Sequence, residues 1–285
     1  MLVLGIDTSC DETAASIVES GRKVLSNIVF SSLKLHKRFG GIVPEIACRA
    51  HVESIIYVVK QALDEAKVTL KNIDLIAVTY GPGLVGALLV GISVAKSFCL
   101  AYNIQLVGVN HLEAHLDINF INSKIPHSPF IGLVVSGGHT SLIYGNNGRY
   151  RLLGRTRDDA AGEAFDKVAK ILGLGYPGGP LIERLSRDGD PARIKFPRCF
   201  LKKDSLDFSF SGIKTAVLYY VRDHLDPRSK IINSGKKLKG QYLRFSIQNQ
   251  EARINNLGSR IQYLGSNIAD IAASHGAGHF EGNSK

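Results

Sequence analysis

Two polar turns, each directly after a short apolar run, constrain the fold of this chain most strongly. The first turn spans residues 7–13 and follows the apolar residues 2–6; the second spans residues 136–140 and follows residues 130–135. Apolar segments after each turn predict two more strands. The repeated order of strand, turn, strand and strand predicts an α/β protein whose two related lobes face each other across a cleft.

Helices and further strands are predicted around these two units. Apolar side chains recur at helical spacing in residues 51–67, and residues 84–102 and 160–172 also predict helices. Residues 73–79 and 105–109 predict strands. After about residue 225 the pattern decays, and no clean element is predicted there.

The charge of the chain favours a polyanionic partner. The formal net charge is +10, and residues 193–244 carry 13 Lys and Arg against 4 Asp. A basic stretch of this kind favours nucleic acid, and a solvated surface is the alternative interpretation.

Cysteine usage and the apolar runs bound the compartment. The four cysteines lie far apart and none forms a C-x-x-C pair, which argues against a disulfide framework or a cysteine zinc site. The N-terminus shows no secretory or transit pattern. The most apolar run, residues 84–95, is too short to span a bilayer and predicts a buried helix. We therefore expect a cytoplasmic protein without a membrane segment.

Both polar turns have the residue types of an anion site. Backbone N–H groups and small hydroxyls in residues 7–13 can face an anion, and the carboxylates of this turn, among them Asp11 and Glu12, can hold a metal or a water near phosphate. These two residues are the candidate catalytic groups, although such turns are common after strands. In the second turn, Gly137 and Gly138 allow a phosphate to approach the backbone, with a tight hairpin as the alternative. Two such turns in matching positions predict a nucleotide in the cleft.

His111 and His115 are candidate metal ligands. Histidines four residues apart lie on one face of a helix, where they suit a divalent metal. A zinc protease has the different pattern H-E-x-x-H, whereas Glu113 lies about 200° round the helix from His111 and points away from such a metal. Glu113 is therefore a poor general base for peptide hydrolysis. The alternative interpretation of the pair is two solvated histidines.

Two later motifs have a chemistry that is harder to infer. Asp166 lies on a predicted helix that precedes a Gly-Gly-Pro turn at residues 178–180, and the two could hold a ribose and a base. The alternative for Asp166 is an exposed helical charge. Residues 206–215 place Lys214 and two serines at a strand-to-helix junction, where residue types alone identify no reaction.

Seven motifs occur in an order that resembles one family, the tRNA adenosine threonylcarbamoyltransferases, once labelled glycoproteases. The motifs are residues 6–13, 39–45, 81–84, 111–115, 135–140, 162–167 and 207–212. The chain is similar to bacterial members of this family from residue 1 to about residue 226. The resemblance implies the two-lobed actin/hexokinase-like (ASKHA) α/β fold, here with an incomplete second lobe. We expect residues 1–125 to form the first lobe and residues 126–274 the second, with an aberrant tail at residues 275–285.

The reaction that the resemblance implies is transfer of a threonylcarbamoyl group. The donor is threonylcarbamoyl-AMP, and the acceptor is the adenosine next to the anticodon in tRNAs that read codons starting with A. His111 and His115 match the ligands of one divalent metal per subunit, iron(II). The positions that match the adenylate site are Val134, Val135, Ser136, Gly137, Gly138, Asp166, Gly179 and Glu183. Other implied partners are tRNA, a shorter paralogue and a small ATPase.

The chain departs from the family pattern towards its end. A Gly-Gly-rich loop ending in Asn and a segment with the Asp that serves as third protein metal ligand are both absent. We expect a frameshift or an early stop after residues 268–274, which resemble the start of the next family helix. The alternative function is an inactive fragment or a non-catalytic scaffold subunit, although such scaffolds lack the two histidines. A sugar or acetate kinase of the same fold would leave His111 and His115 unexplained.

Overall fold

The computed structural model describes residues 1–121, 128–187, 194–196 and 205–225 of the chain. Two units are present: one comprises Met1–Val134 and Ile143–Arg151, and the other comprises Val135–Leu142 and the chain from Leu152 onward. The division at residues 125 and 126 and the tail at residues 275–285 stay predictions, and the tail lies outside the described residues.

Eight strands and seven α-helices lie along the described part of the chain. The strands are β1 (Leu2–Asp7), β2 (Glu12–Glu19), β3 (Lys23–Ser31), β4 (Leu75–Gly81), β5 (Gln105–Asn110), β6 (Phe130–Val135), β7 (Thr140–Asn146) and β8 (Arg149–Arg155). The α-helices are α1 (Leu33–His36), α2 (Pro44–Ala66), α3 (Val85–Tyr102), α4 (His111–Asp117), α5 (Ala161–Ile171), α6 (Gly178–Ser186) and α7 (Ser211–Tyr220). Short 3₁₀ turns span Lys37–Phe39, Leu70–Asn72 and Ile118–Phe120, and a π-helical turn spans Val221–Leu225. The predicted α/β class is confirmed.

The first unit contains a five-stranded mixed sheet in the order β3-β2-β1-β4-β5. β1 pairs antiparallel with β2 and parallel with β4, so the turn after β1 lies at the carboxyl end of a central strand. Alternating side chains of β1 and β2, such as Leu4 and Ile17, are fully buried. They pack with Ile55 of α2 and with apolar residues of α3 in the main core of this unit. This core holds the turn after β1 in place.

Helix α2 begins at Pro44, seven residues before the predicted start at His51. Proline at the first helical position needs no N–H partner, because the first N–H groups of a helix have none within it. The helix ends at Ala66, and the following residue, Lys67, has left-handed backbone with φ 58° and an N–H that reaches the carbonyl of Leu63. The predicted apolar periodicity thus identified the helix but not its first two turns.

Helix α3 is anchored to the turn after β1 through Thr8. The Thr8 hydroxyl donates to the carbonyl of Ala87 at 2.8 Å and accepts from the N–H of Gly91 at 3.2 Å. A Cβ at Gly91 would lie 2.5 Å from Thr8 Oγ1, so this approach requires glycine. In the turn that precedes α3, a Cβ at Gly83 would lie 2.5 Å from the carbonyl oxygen of Ser9. The glycines of α3 and of the preceding turn therefore let the helix sit directly on residues 8 and 9.

Only one face of α3 is buried, so the prediction of a buried helix is wrong for its other face. Ala87 and Ala95 are fully buried, whereas Val85 and Leu100 are exposed. Among the described residues, this is the one helix that is long and apolar enough to cross a membrane, which by itself is a weak indication. The bonds from Thr8 to its backbone are those of a helix packed within a folded unit.

A second sheet has the order β6-β7-β8. In the second unit, α5, α6 and α7 surround a core that includes Val168, Ile182 and Val217, each at most 2% exposed. The predicted helix at residues 160–172 is confirmed as α5. The Gly-Gly-Pro segment expected as a turn forms instead the first residues of α6.

Candidate functional site

Asn110 determines where helix α4 begins and therefore where its two histidines lie. The Asn110 side chain accepts hydrogen bonds from the backbone N–H groups of Leu112 and Glu113, as an N-cap does. The helix starts at His111, so His111 and His115 lie one turn apart. Their Nε2 atoms are 3.1 Å apart, and the two rings meet edge to face. The predicted helical placement of the pair is confirmed.

The other ring nitrogen of His111 contacts the turn after β1. Nδ1 lies 3.1 Å from Oδ2 of Asp7 and 3.3 Å from the Ser9 hydroxyl. Burial would raise the pKa of the Asp7 carboxyl, but hydrogen bonds from His111 and Ser9 lower it to about 2. An ionised Asp7 assigns the ring proton to Nδ1, which leaves the lone pair of Nε2 directed towards His115. Asp7 is thus the partner of a candidate metal ligand, and the sequence did not single it out for this contact.

The geometry of the two imidazoles fits a shared metal ion. Two metal–nitrogen bonds of about 2.0–2.1 Å at a tetrahedral angle place the nitrogens about 3.3 Å apart, close to the observed 3.1 Å. Burial and then the neighbouring His111 lower the pKa of His115, which favours the neutral form that binds metals. A ligand histidine commonly donates its other N–H to a carboxylate, as His111 does to Asp7. Within the described residues, no third His, Cys, Asp or Glu joins the pair in a metal-binding group.

Asp11 and Glu12 follow in the chain at the end of the turn that contains Asp7. Glu12 begins β2, and burial followed by the charges of Asp11 and Asp7 raises its pKa. The backbone carbonyl of Asp11 accepts from both the N–H and the hydroxyl of Ser32. Burial and the charge of Asp11 raise the pKa of the Cys10 thiol to about 12, so the thiol stays protonated. The catalytic roles of Asp11 and Glu12 stay predictions.

Two buried histidines, His36 and His51, form hydrogen bonds with residues in and next to the turn after β1. His51 on α2 has its Nδ1 2.8 Å from the Thr13 hydroxyl and its Nε2 3.0 Å from the carbonyl of Cys10. His36 receives the N–H of Val43 on Nδ1, and its Nε2 lies 3.1 Å from the Ser32 hydroxyl. The contacts of His51 join residues from different elements, so nothing in the local sequence indicates them.

Glu113 acts on the side of α4 that faces Tyr150. Its charge contributes to the raised pKa of the Tyr150 hydroxyl, after burial and the hydrogen bond to Asp117. Asp117, one turn along from Glu113, accepts that hydrogen bond. Glu113 therefore lies on the same face of α4 as Asp117, the face that contacts Tyr150, in agreement with its predicted direction away from the histidine pair.

In the second unit, the turn after β6 closes on the Ser136 side chain. Ser136 Oγ accepts from the N–H of His139 at 3.0 Å and of Gly138 at 3.3 Å, and its own N–H reaches the carbonyl of His139. Added Cβ atoms at Gly137 or Gly138 would meet nothing within 4 Å. The turn thus holds its shape through Ser136, and its two glycines face open space that a ligand could occupy.

The residues around this turn hold it to helix α5. Val134 is 7% exposed and packs into a small core with Leu116, so only its backbone can face a ligand, whereas Val135 is exposed. The Thr140 hydroxyl accepts from the N–H of Ala161 at the start of α5. A Cβ at Gly162 would lie 2.8 Å from both the Ser136 carbonyl oxygen and Gly137 Cα. The turn and the helix are therefore packed backbone to backbone.

Asp166, Gly179 and Glu183 are brought together by the junction of α5 and α6. Asp166 accepts a 2.7 Å hydrogen bond from the N–H of Gly178, and burial raises its pKa against the effect of that bond. An added Cβ at Gly179 would meet nothing within 4 Å. Glu183 lies one helical turn beyond Gly179 and forms an exposed ion pair with Arg187. The residues of the predicted ribose site thus lie near one another in the second unit. One carboxylate oxygen of Asp166 already accepts the hydrogen bond from Gly178.

The motif at residues 207–212 wraps around one carboxylate. Oδ1 of Asp158 accepts from the backbone N–H groups of Phe210 and Ser211, and Oδ2 accepts from the hydroxyls of Ser209 and Ser211. Lys214 lies within α7 and pairs with Asp159. These serines and Lys214 therefore have a structural role in starting α7, which residue types alone did not reveal.

Two sequence-based expectations fall partly or wholly outside the described residues. Most of the basic stretch at residues 193–244, and all of residues 230–285, lie outside them. In the described part of the chain, Cys10, Cys48 and Cys99 are free thiols, and Cys199 lies outside it.

Comparison with known proteins identifies the family. Residues 23–279 match the family described as tRNA N6-adenosine threonylcarbamoyltransferase. The chain belongs to this family. A family member from Clostridioides difficile (strain 630) is 56% identical over 222 residues, which are 78% of this chain and 66% of the relative. A member from Clostridium botulinum (strain Hall) is 58% identical over 220 residues, which are 77% of this chain and 65% of the relative. The chain thus spans slightly less than two thirds of the length of these family members.

Solved structures with a similar architecture include more distant proteins. Component A of the Acidaminococcus fermentans (R)-2-hydroxyglutaryl-CoA dehydratase aligns with a TM-score of 0.46 and 14% identity, over 98% of this chain and 89% of that chain. A similarity of this size carries no information on the activity of the present chain. The present chain has an α/β architecture with a mixed five-stranded sheet, which agrees with the actin/hexokinase-like fold expected for a family member.

Proposed function

We propose that this chain is a tRNA N6-adenosine threonylcarbamoyltransferase. It would move the threonylcarbamoyl group from threonylcarbamoyl-AMP to the adenosine next to the anticodon in tRNAs that read codons starting with A. Family membership supports this reaction, and so do the names of the relatives at 56% and 58% identity. The observation that carries the proposal is the convergence of two histidine Nε2 atoms, 3.1 Å apart, beside a turn with three carboxylates.

His111 and His115 would hold one divalent ion, iron(II). Asp7 would hold the His111 ring in the tautomer that presents Nε2 to the ion. When bound, the ion would supply a Lewis acid that polarises a carbonyl or phosphoryl oxygen. Asp11 and Glu12 would act on the reacting groups, and the raised pKa of Glu12 suits exchange of a proton nearer to neutral pH.

The second unit would hold the adenylate. The open space beside Gly137 and Gly138 suits the phosphate, since their backbone can approach it without a Cβ. Ser136 shapes that turn, and the backbone of Val134 and Val135 leads into it. Three groups at the junction of α5 and α6 suit the ribose and base: Asp166, Gly179 and Glu183.

Exposed apolar side chains support protein partners. Val52 and Ile56 lie one turn apart on α2, and Val85 and Leu89 lie one turn apart on α3; all four are more than half exposed. Contiguous exposed apolar residues of this kind mark protein interaction surfaces. We propose that they bind partner subunits, namely a shorter paralogue and a small ATPase, and that the chain acts on tRNA in the cytoplasm.

Transfer to tRNA by the purified chain tests this function. Unmodified tRNA would be incubated with threonylcarbamoyl-AMP, the partner subunits and iron(II), and the modified adenosine measured by mass spectrometry. We expect modification by the wild-type chain and its loss in His111→Asn. Glu113→Gln, on the same helix but on the face that contacts Tyr150 through Asp117, is the matched control and should retain activity. No modification by the wild-type chain under these conditions would contradict the proposal.

A non-catalytic scaffold is the second candidate function. The described part of the chain contributes two imidazoles to the metal and no third protein ligand. Catalytic metal sites usually have three protein ligands. A scaffold would bind the partner subunits but would not modify tRNA itself. In the same assay, a scaffold would give modified tRNA only after a catalytically competent family member is added, whereas an enzyme would give it without that addition.

A further inference from the structure

A polar cavity of about 610 Å³ lies in the second unit, next to the turn after β6. Its walls come from the second half of that turn and the first residues of β7. The other walls are formed by Arg155, Thr156, Arg157 and Asp207. Backbone hydrogen bonds of Phe208 with Arg155 and Arg157 hold the two wall segments side by side. The cavity therefore has a wall fixed by main-chain pairing.

Asp207 positions one of the two guanidinium groups in this wall. Its Oδ2 lies 2.7 Å from Nε of Arg157 and 2.7 Å from Nη2, while Oδ1 accepts from the backbone N–H of Arg155 at 3.0 Å. The backbone bond from Arg155 and then the side chain of Arg157 lower the pKa of Asp207, so the carboxylate is ionised. It restrains one edge of the Arg157 guanidinium, which leaves the remaining N–H groups available to a ligand.

The second guanidinium carries the surplus charge of the cavity. The Arg155 side chain forms no hydrogen bond or ion pair of its own with any residue in the described part of the chain, although it lies near enough to Asp207 to lower the pKa of that carboxyl. Two guanidinium groups face one carboxylate, so the wall is positively charged. Arg side chains present forked N–H groups that match the oxygens of phosphate.

A buried hydroxyl in the cavity also lacks a partner. Ser141 is 5% exposed and lines the cavity, yet its hydroxyl has no hydrogen-bond partner among the described residues. Buried polar groups are nearly always paired, with protein or with a bound molecule. The Thr156 hydroxyl, by contrast, already donates to the carbonyl of Asp159. Ser141 is thus a donor available to an oxygen atom inside the cavity.

We propose that this cavity binds a phosphate group of a polynucleotide through Arg155, Arg157 and Ser141. The inference rests on the proposed function, because it assigns part of the tRNA contact to a defined site. Of the eight residues expected to hold the adenylate, only Gly138, at the edge of the turn, lines the cavity, whereas Ser136 and Gly137 of the same turn and Asp166, Gly179 and Glu183 do not. The cavity is therefore suited to a phosphate of the second substrate rather than to the donor nucleotide.

The dependence of tRNA affinity on salt tests this site. Dissociation constants of the full chain would be measured across a salt series for the wild type and for Arg155→Gln. Each phosphate contact contributes about 0.7 to 0.9 to the slope of log affinity against log salt. We expect Arg155→Gln to reduce the slope by that amount and to weaken binding about tenfold at low salt. Arg155→Lys keeps the charge and should restore the slope.

Arg149→Gln is the matched control, because Arg149 is an exposed arginine on the same strand outside the cavity. The slope for Arg149→Gln should lie closer to the wild-type slope than the slope for Arg155→Gln does. Ser141→Ala should weaken tRNA binding severalfold without changing the slope, since it removes no charge. Equal slopes for Arg155→Gln and Arg149→Gln would overturn the proposal.

Two further measurements separate other ligands of the cavity. AMP affinity should be the same in the wild type and in Arg155→Gln; a tenfold loss would place the cavity in the adenylate site and overturn the proposal. If inorganic phosphate at constant ionic strength bound the wild type and not Arg155→Gln, with tRNA slopes unchanged, the site would bind free phosphate and the proposal would again be wrong. Arg155→Gln could show the expected change in slope while the wild-type chain binds tRNA without modifying it. That outcome would contradict the proposed function and leave the phosphate site intact.

Discussion

Asp7 and His111 are 104 residues apart in the chain, yet Oδ2 of Asp7 lies 3.1 Å from Nδ1 of His111. This contact joins the end of β1 to the start of α4. It links the carboxylate turn to the histidine pair, and it uses the ring nitrogen that a metal on Nε2 would leave free. This hydrogen bond thus connects the two halves of the candidate metal site in the first unit.

Loss of the Asp7 charge should weaken metal binding. Carboxylates that hold a ligand histidine raise its basicity, and their replacement costs about 10- to 100-fold in metal affinity. We expect a loss of this size for Asp7→Asn in titrations with Co(II), followed by its visible absorption. Glu113→Gln keeps the histidine pair and its contact with Asp7, and should bind like the wild type. Equal affinities for Asp7→Asn and Glu113→Gln would contradict this role.

Protonation of His51 should destabilise the fold below neutral pH. Burial is the largest influence on His51 and lowers its pKa below 6.5, and the neutral ring can accept from Thr13 while it donates to Cys10. The unfolded chain then binds a proton at a higher pH than the folded chain does. The free energy of unfolding should therefore be highest above about pH 6.5 and decrease as the pH falls towards the folded value.

Urea unfolding of the wild type and of His51→Gln, at about pH 8 and about pH 5.5, measures this effect. Gln can still donate to the Cys10 carbonyl but does not titrate. The decrease in the free energy of unfolding between the two pH values should be smaller in His51→Gln. An equal decrease in both proteins would show that other groups account for it.

Asp158 should contribute to the stability of the second unit. Its carboxylate accepts four hydrogen bonds, two from backbone N–H groups and two from serine hydroxyls. We expect Asp158→Ala to lower the free energy of unfolding by about 2 kcal/mol, because hydrogen bonds to a charged group are lost and the start of α7 is uncapped. Glu65→Ala, at an exposed position of α2, is the control and should change it little.

The Asp158 carboxylate should also make the free energy of unfolding depend on pH in the acid range. Burial would raise the pKa of Asp158, but its hydrogen bonds with Ser209, Phe210 and Ser211 lower it below 3.8. Its contribution is then complete above pH 3.8 and is lost as the pH falls through the folded pKa. The difference in unfolding free energy between the wild type and Asp158→Ala should decrease over that range, and a constant difference would contradict the assignment.

A side chain at residue 137 should block the adenylate without disturbing the fold. A Cβ there meets no protein atom within 4 Å, so Gly137→Val should fold normally and show no detectable binding of AMP by calorimetry. Gly162→Ala is the contrasting variant, because its Cβ would lie 2.8 Å from Ser136 O and should lower stability. Unchanged AMP affinity in Gly137→Val would place the nucleotide elsewhere.

Local patterns predicted most elements of the fold. The apolar run before each polar turn is a strand, and the spacing of His111 and His115 is that of a helix. These features depend on residues that are neighbours in the sequence. Helix α2 was predicted too short because its first turns lack apolar periodicity, although Pro44 was a signal for its start.

Contacts between distant residues could not be predicted from such patterns. Asp7 with His111, His51 with Thr13, and Asp158 with the serines of residues 207–212 each depend on how separate elements pack. The motif at residues 207–212 was visible in the sequence, but its partner, Asp158, was not. The sequence therefore indicated which residues belong to the sites, and the packing assigned their partners.

The close approach of Thr8 to Gly91 has a consequence for how the family can vary. The volume available at residue 91 is set by the side chain at residue 8, because a Cβ on one would overlap the hydroxyl of the other. A larger residue at position 91 therefore requires a smaller one at position 8, and that change would also remove both hydrogen bonds that Thr8 makes with α3. The two positions should covary across homologues, and single substitutions at either should show strong epistasis with the other.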